Sequence, residues 1–328
     1  MTPTRRPPRP GGPLRAAARL AGPTRFLARR IPGIVGVMWA AATLAFVTVQ
    51  LLPGDPVDAI LGPGAVADAD LRDRIRREYG LDRSPLEQYL TWLSRLVTGD
   101  LGRSFRLQLP VRRVLSDQIG PTAQLAAAAT AAAVVVALLT ATATAGRGRV
   151  ARGIASGLEL VAVSVPSFWL GLVALTFLSF RHHIFPVAGD QGLMALVLPA
   201  ATLALPIAGV LAQVLRDGLE ETLNEPFVTA LRARGAGRIR VLCQALRVTA
   251  GPFLTLAGWV VGSLFGGAVL TETVFGRPGL GRVMLDAALS RDVPVITAVM
   301  LLVAGVFVVV NTTVDVLCVA LDPRLREE

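Results

Sequence analysis

Six long, almost uncharged apolar stretches constrain the fold of this chain more than any other feature. The sequence has 328 residues, of which 17% are charged, whereas a soluble domain usually carries about 25%. Each stretch approaches or exceeds the roughly 20 apolar residues that a helix needs to cross a bilayer. We therefore predict an all-α integral membrane protein with six transmembrane helices. The predicted spans are 31–52, 122–145, 154–180, 193–214, 252–269 and 293–319.

Prolines inside two of the spans predict departures from a straight helix. Pro166 lies in the third span, where its missing N–H and the bulk of its ring should kink the helix. The fourth span contains both Pro199 and Pro206, and we predict that it is the least regular of the six.

The basic residues exclude two kinds of function. The formal net charge is +10, and all 33 basic residues are Arg. An ordinary P-loop requires a Lys to reach the β- and γ-phosphates, so this chain cannot be its own ATPase of that kind. The Arg residues lie mainly between apolar stretches that are too long for a DNA-binding domain, so we predict no nucleic-acid partner.

Candidate catalytic and metal-binding residues are sparse, and we predict no catalytic residue, no metal site and no cofactor. Cys243 and Cys318 are far apart and lack the CxxC spacing of a metal site. The adjacent His182 and His183 lie at the end of a span, where an interfacial role is commoner than metal binding. The sequence contains no HExxH, GxSxG or SxxK motif.

Two regions outside the spans have distinct compositions. Residues 1–30 are rich in Pro and Arg without an apolar stretch, which predicts a disordered cytoplasmic tail. Segment 53–120 mixes Arg with acidic residues. Within it, the charge spacing predicts a short surface helix at 70–82, and the apolar spacing predicts an amphipathic helix at 87–97. The second helix should lie on the membrane or pack on the spans.

The distribution of Arg predicts that both termini are cytoplasmic. With the N-terminus inside, the inner segments hold about 19 Arg and the short outer loops about four, as the positive-inside rule requires. Segment 53–120 then becomes a large extracytoplasmic loop, which is long enough to be exempt from that rule. The expected location is the inner or plasma membrane, crossed several times.

The loop 215–251 is too long for a simple connection between helices, which usually takes 2–8 residues. Its acidic residues come early and its basic residues come late, an order that suits helix dipoles. Gly235 lies where one short helix would end and another would begin. We interpret the loop as two short helices that form a cytoplasmic docking surface. A basic loop resting on anionic lipid is the alternative.

The sequence EPFVTALRARGAGRIRVLCQALRVTAGPFLT in this loop resembles the coupling segment, or EAA loop, of the dipeptide/oligopeptide/nickel family of ABC-transporter permeases. The chain matches that pattern at Glu225, Phe227, Arg232, Ala233, Arg234, Gly235, Ala245, Leu246, Arg247 and Pro252. It departs from the pattern at Pro226, Ala230, Leu231, Gln244, Val248 and Gly251. The resemblance implies that ATPase coupling is carried by Glu225, Phe227, Arg232, Ala233, Arg234 and Gly235.

Further motifs extend the resemblance from about residue 24 to residue 326. In order they are LPGDP at 52–56, YGLD at 79–82, GDLGRS at 99–104, SVPSFW at 164–169, ETVFGRPGLG at 272–281, RDVP at 291–294 and DPR at 322–324. Their order is similar to that of the first permease subunit, and this resemblance implies that 31–328 is a transmembrane domain of the type I ABC importer kind. The implied partners are a second permease subunit, cytoplasmic ATP-binding subunits, an extracytoplasmic substrate-binding protein and membrane lipid.

Small and acidic residues inside the spans predict helix contacts. A small-residue stripe on the fifth span should let another helix approach closely, either in the partner permease or in the same chain; it consists of Gly258, Gly262 and Gly266. Glu159 lies near the inner end of the third span. For Asp315 in the last span, a structural ion pair with Arg324 is favoured over a proton relay.

Other classes of function are weaker explanations of the sequence. An ion-coupled secondary transporter would need buried carboxylates or broken helices at the midplane, and the chain has few charges there and no visible repeat. A membrane enzyme lacks its catalytic set, and a channel lacks a filter-like segment. Among substrates of the resembling family, di- or oligopeptides come first. Nickel or a metal chelate is second, because the outer loop 181–192 is short, as in nickel-type members.

Overall fold

The computed structural model describes residues 14–51, 55–61, 68–189 and 192–321. Within these ranges the chain forms helices joined by short connections. In chain order they are α1 (Leu14–Gln50), α2 (Pro56–Leu61), α3 (Ala69–Tyr79), α4 (Pro85–Val97), α5 (Val111–Thr144), α6 (Arg149–Ser164), α7 (Ser167–Ala174), α8 (Met194–Leu223), α9 (Pro226–Ala233), α10 (Arg238–Val274), α11 (Leu280–Ser290) and α12 (Val293–Leu321). A π-helical segment, Leu175–Arg181, extends α7.

Five helices in the described part of the chain are long and apolar enough to cross a membrane: α1 from Arg30 onwards, α5, α8, α10 and α12. A sixth span results if α6 and α7 are counted together with the π-helical segment. This count agrees with the six predicted spans. The two halves of the sixth span meet at 95°, at the predicted position of Pro166. Val165 is extended there (ψ 125°), because a residue before proline is disfavoured in the helical conformation.

The prediction that the fourth span is the least regular is wrong. α8 contains Pro199 and Pro206 yet is one continuous helix. α8 is also the most buried of the five long apolar helices, with 56% of its most apolar stretch buried. Helices packed around it hold the backbone in place where a proline removes an internal hydrogen bond.

Several helices extend well beyond the apolar stretches that predicted them. α5 begins at Val111, α8 ends at Leu223, and α10 begins at Arg238. α1 begins at Leu14, within the segment 1–30 for which the sequence predicts a disordered tail; residues 1–13 lie outside the described residues. Hydropathy marks the part of a helix that can enter a bilayer, whereas Arg and Ala outside it are good helix formers.

Small side chains bring α5 into close contact with the central helix α8. Ala133, Ala137 and Ala141 recur every four residues on α5 and are fully buried. They belong to one apolar cluster with Leu211 and Leu215 of α8. Helices α6, α7 and α10 also pack on α8, whereas α12 packs on α1, α10 and α11. α8 is therefore the helix around which much of the bundle is packed.

The two helices predicted between the first two spans are present as α3 and α4. Asp68 caps α3 by accepting a hydrogen bond from the Leu71 N–H at 2.9 Å, and Gly80 ends it in the left-handed conformation (φ 66°). Ser84 and Glu87 form a reciprocal capping box at the start of α4. Both helices are thus bounded by local signals in the sequence.

Candidate functional site: the α9 segment and the buried polar clusters

α9 and its flanking turns form an exposed segment, residues 224–237, between the long helices α8 and α10; we call it the α9 segment. Pro226 occupies the first helical position, where its missing N–H leaves no hydrogen bond unmade. The turn after α9 is closed by a bond from the Ala236 N–H to the Leu231 carbonyl at 3.0 Å. Gly235 has a left-handed φ of 80° in that turn, so it separates α9 from α10 as predicted.

The predicted coupling residues all lie on the surface of the α9 segment. Val228 is fully buried and anchors α9 to the bundle. By contrast, the predicted coupling residues are all exposed: Glu225, Phe227, Arg232, Ala233, Arg234 and Gly235. The predicted coupling residues are therefore all accessible from outside the described part of the chain.

The predicted second short helix in this loop is replaced by the start of α10. From Arg238 the chain runs as one helix through Pro252 and into the fifth span. The sequence between Arg238 and Pro252 contains a single glycine, Gly251, and no other helix breaker. The loop 215–251 is therefore mostly the ends of two long helices, with one short helix between them.

The base of the α9 segment is closely packed. The hydroxyl groups of Thr222 on α8 and Thr249 on α10 are 3.3 Å apart, and both side chains are buried. Gly218 faces Thr249 so closely that a Cβ there would overlap the threonine methyl group. The end of α8 and the start of α10, which flank α9, are therefore held tightly against each other.

Two ion pairs join α8 to α6 just before the α9 segment. Arg216 donates to both carboxylate oxygens of Glu159, at 2.6 and 2.7 Å. The two residues are 2% and 8% exposed. Glu220, about one turn further along α8, forms a more exposed ion pair with Arg152 of α6, at 3.0 Å. The sequence singles out Glu159 but not Arg216, because Arg216 lies just past an apolar stretch. The need of a buried acid for a partner was the one sequence signal that could have led to Arg216.

The carboxylate of Glu272, near the end of α10, organises the start of α11. It accepts hydrogen bonds from Thr122 Oγ1 at 2.7 Å, from the Gly281 N–H at 2.9 Å and from the Arg282 N–H at 3.1 Å. Negative charge is stabilised at a helix N-terminus. A Cβ on Gly281 would overlap the backbone of Val269, which explains a glycine in this motif. The cluster holds α11 against α5 and α10.

A second buried carboxylate, Asp292, joins the loop before α5 to the start of α12. It accepts hydrogen bonds from the Ser104 hydroxyl, from the Phe105 N–H at 3.1 Å and from the Arg106 N–H at 3.3 Å. Asp292 is only 3% exposed. The motifs GDLGRS and RDVP are thus two halves of one structural contact.

Asp315 on α12 forms an ion pair with Arg30 on α1. A structural pair is what the sequence predicts, but the partner differs: the predicted Arg324 lies outside the described residues. Both side chains remain partly exposed, and α1 and α12 pack side by side. The pair therefore links the first and last spans.

The glycine stripe on α10 faces α12 of the same chain over part of its length. A Cβ on Gly258 would lie 2.6 Å from Val314 Cγ2, and one on Gly262 would overlap the ring of Phe307. A Cβ on Gly266 would meet nothing within 4 Å. Of the two predicted alternatives, packing within the chain holds for Gly258 and Gly262, and Gly266 alone is open to another chain.

The described residues offer little for metal binding or catalysis. In residues 14–51, 55–61, 68–189 and 192–321, no three His, Cys, Asp or Glu side chains come together as a metal site. A cavity of about 140 Å³ lies between α5, α8, α10 and α12. Its lining is apolar apart from Thr122, so it provides neither a nucleophile nor an acid–base pair.

These features define a class: a multi-pass helical membrane protein with an exposed segment between two spans and with buried charges engaged in helix packing. The chain belongs to the family of binding-protein-dependent transport system inner membrane components. The model of that family matches residues 109–327, and the model of the N-terminal region of such components matches residues 23–126. The resemblance predicted from the motifs is confirmed.

Membership of this family defines the general role of the chain. It is a multi-pass inner-membrane permease subunit of an ABC importer, and it works with ATP-binding subunits and a substrate-binding protein. It is a transport subunit and not an enzyme, since ATP is hydrolysed on the partner subunits. This sets aside the ion-coupled secondary transporter as an explanation of the sequence.

Similar proteins cover nearly the whole chain. A peptide transport system permease protein of Brucella abortus (strain 2308) is 36% identical over 314 residues, which is 92% of this chain and 99% of the relative. The glutathione transport system permease protein GsiC of Escherichia coli (strain K12) is 31% identical over 303 residues, covering 92% and 98%. The solved structure of the inward-facing MetNI methionine ABC transporter matches with a TM-score of 0.54 at 18% identity, over 65% of this chain and 98% of that one.

Proposed function

We propose that this chain is the permease subunit through which di- or oligopeptides enter the cell after delivery by a substrate-binding protein. Its relatives in Brucella abortus and Escherichia coli are named for peptide and glutathione transport, and glutathione is itself a small peptide. Both names favour a peptide over nickel or a metal chelate.

The observation that carries the coupling role is the exposed α9 segment. Phe227 is 36% exposed and Ile239, at the start of α10, is 80% exposed, on a surface that also presents Arg232 and Arg234. Apolar anchors surrounded by charged residues are typical of the centre and rim of a protein interface. The partner that fits this surface is a cytoplasmic ATP-binding subunit, whose closure would push on α8 and α10 through α9.

The proposed orientation places the α9 segment and both termini in the cytoplasm. Segment 53–120, with α3 and α4, is then the extracytoplasmic loop. An even number of spans and the excess of Arg in the inner segments support this arrangement. A second permease subunit completes the pathway, and lipid surrounds the rest; Gly266 is the stripe residue left open for such a neighbour.

Replacing Gly235 tests the coupling role. Proline cannot adopt the φ of 80° found at Gly235, and it would also remove the N–H that donates to the Arg232 carbonyl at 2.9 Å. We expect Gly235→Pro to abolish uptake of a radiolabelled dipeptide by cells that express the complete transporter, while the chain still inserts in the membrane at its normal level.

Gly237→Ala is the matched control. Gly237 is equally open to solvent but has an ordinary φ of −67°, so we expect nearly normal uptake. Normal uptake by Gly235→Pro would contradict the coupling role. Uptake of nickel in place of the dipeptide by the unmodified transporter would contradict the substrate class and leave the coupling role intact.

A further inference from the structure

Helix α4 has three different faces, and α1 covers one of them. The ring of Phe46 on α1 lies 5.3 Å from that of Tyr89 and 5.8 Å from that of Trp92. The Tyr89 hydroxyl also lies 2.8 Å from Thr43 Oγ1 on α1. These contacts place α4 directly beside the part of α1 that can cross the membrane.

A second face of α4 is an apolar stripe. Leu86, Leu90, Leu93 and Val97 follow one another at steps of four, three and four residues, which brings them within about 60° on a helix that turns about 100° per residue. Leu86 is 66% exposed, Leu90 55% and Val97 81%, so the rest of the described chain leaves this face largely uncovered.

The third face is polar and lies on the other side of the stripe. Glu87, Ser94 and Arg95 are all exposed, and Thr91 lies among them. The stripe is therefore bounded by a protein contact on one side and by a hydrophilic surface on the other. A helix with this division of faces fits the boundary between lipid and water, where one side meets acyl chains and the other meets headgroups and solvent.

We propose that the apolar stripe on α4 inserts among lipid acyl chains. α4 then lies in the membrane surface, beside the C-terminal end of α1 near Gln50. The apolar surface of α1 supports lipid as the occupant, because only 11% of its span is buried. Leu44 on α1 is 63% exposed, and Leu51, directly after the end of α1, is 77% exposed, so both are open to lipid as well. Tyr89 and Trp92 are of the aromatic types enriched at membrane interfaces. The assignment depends neither on the substrate nor on the coupling role.

Spin labels on α4 test this placement. The full chain, with Cys243→Ser and Cys318→Ala replacing its two native cysteines, is reconstituted in vesicles of phosphatidylcholine and phosphatidylglycerol. Leu90→Cys is compared with Ser94→Cys, a control on the same helix. We expect the label at position 90 to collide several-fold more with oxygen, which dissolves in the acyl region, than with a water-soluble nickel chelate. The label at position 94 should show the opposite preference.

Two outcomes would overturn the proposal. If positions 90 and 94 are equally accessible to the nickel chelate, the stripe faces water. If position 90 is shielded from both reagents, a protein surface covers the stripe, such as a second copy of this chain. Both side chains are exposed, so neither substitution disturbs packing; Val97→Cys repeats the measurement at the other end of the stripe.

Discussion

Arg216 on α8 donates two hydrogen bonds, of 2.6 and 2.7 Å, to the carboxylate of Glu159 on α6, and both side chains are almost completely buried. The pair lies about two turns before α8 ends at Leu223, where the α9 segment begins. α6 is also the first half of the span that bends by 95°. The pair therefore ties the bent span to the helix that leads into the proposed docking surface.

Removing one partner of this pair should destabilise the chain strongly. Arg216→Met leaves the Glu159 carboxylate buried without its cation, a change that typically costs about 3–5 kcal/mol. Arg152→Met is the comparison, because Arg152 is 48% exposed and Glu220 21% exposed, so water screens this pair more than the Arg216–Glu159 pair. We expect a clearly larger loss of thermal stability for Arg216→Met in the same detergent. Equal losses would show that the buried pair contributes no more than the Arg152–Glu220 pair.

Alanine in the glycine stripe should separate contacts within the chain from open positions. A Cβ on Gly258 meets Val314, whose branched side chain has little freedom to move aside, so we expect a loss of about 1–3 kcal/mol. At Gly262 the neighbour is the ring of Phe307, which is 39% exposed and can rotate outward, so the loss should be smaller.

Gly266→Ala serves as the control for both changes. Nothing lies within 4 Å of its Cβ position, and Ala is the better helix former, so the stability of the isolated chain should stay the same or rise slightly. The measurement is the unfolding temperature of the three variants. A destabilised Gly266→Ala together with an unaffected Gly258→Ala would contradict the packing described.

Neutralising Asp292 should loosen the loop before α5. Asn at this position has one carbonyl oxygen in place of two carboxylate acceptors, so it cannot satisfy Ser104, Phe105 and Arg106 equally well. We expect faster amide hydrogen exchange in the loop before α5 and unchanged exchange in the middle of α5. Asp286→Asn, on the exposed side of α11, should leave both regions unchanged.

Acid should release the contact between Asp55 and α3. A hydrogen bond from the Val57 N–H and the nearby Arg76 guanidinium hold the pKa of Asp55 below its ordinary value. A carboxylate with a lowered pKa in the folded state contributes stability at pH values above its unfolded pKa of about 4. That contribution is lost as the pH falls through the folded value. Wild type should therefore protect the amides of α3 better than Asp55→Asn at about pH 6, and the difference should shrink as the pH falls below about 4. A difference that persists at low pH would contradict the assignment.

The sequence predicted the features that depend on nearby residues. The six apolar stretches, the break at Pro166, the helices α3 and α4, and the turn at Gly235 follow from local hydropathy, proline geometry and glycine freedom. Errors arose where the same local rules compete with packing. α8 remains one continuous helix through two prolines because its neighbours enclose it.

Which distant groups meet was decided only by the tertiary structure. Arg216 reaches Glu159 across 57 residues, Thr122 reaches Glu272 across 150, and Arg30 reaches Asp315 across 285. Hydropathy and charge count show that a buried acid needs a partner but do not select it, because the choice depends on how the helices cross and at what depth each side chain lies. The sequence by itself determined a bundle of spans with one exposed segment between two of them. The packing of those spans decided which charges are paired, which glycines lie against another helix and which face of α4 is left uncovered.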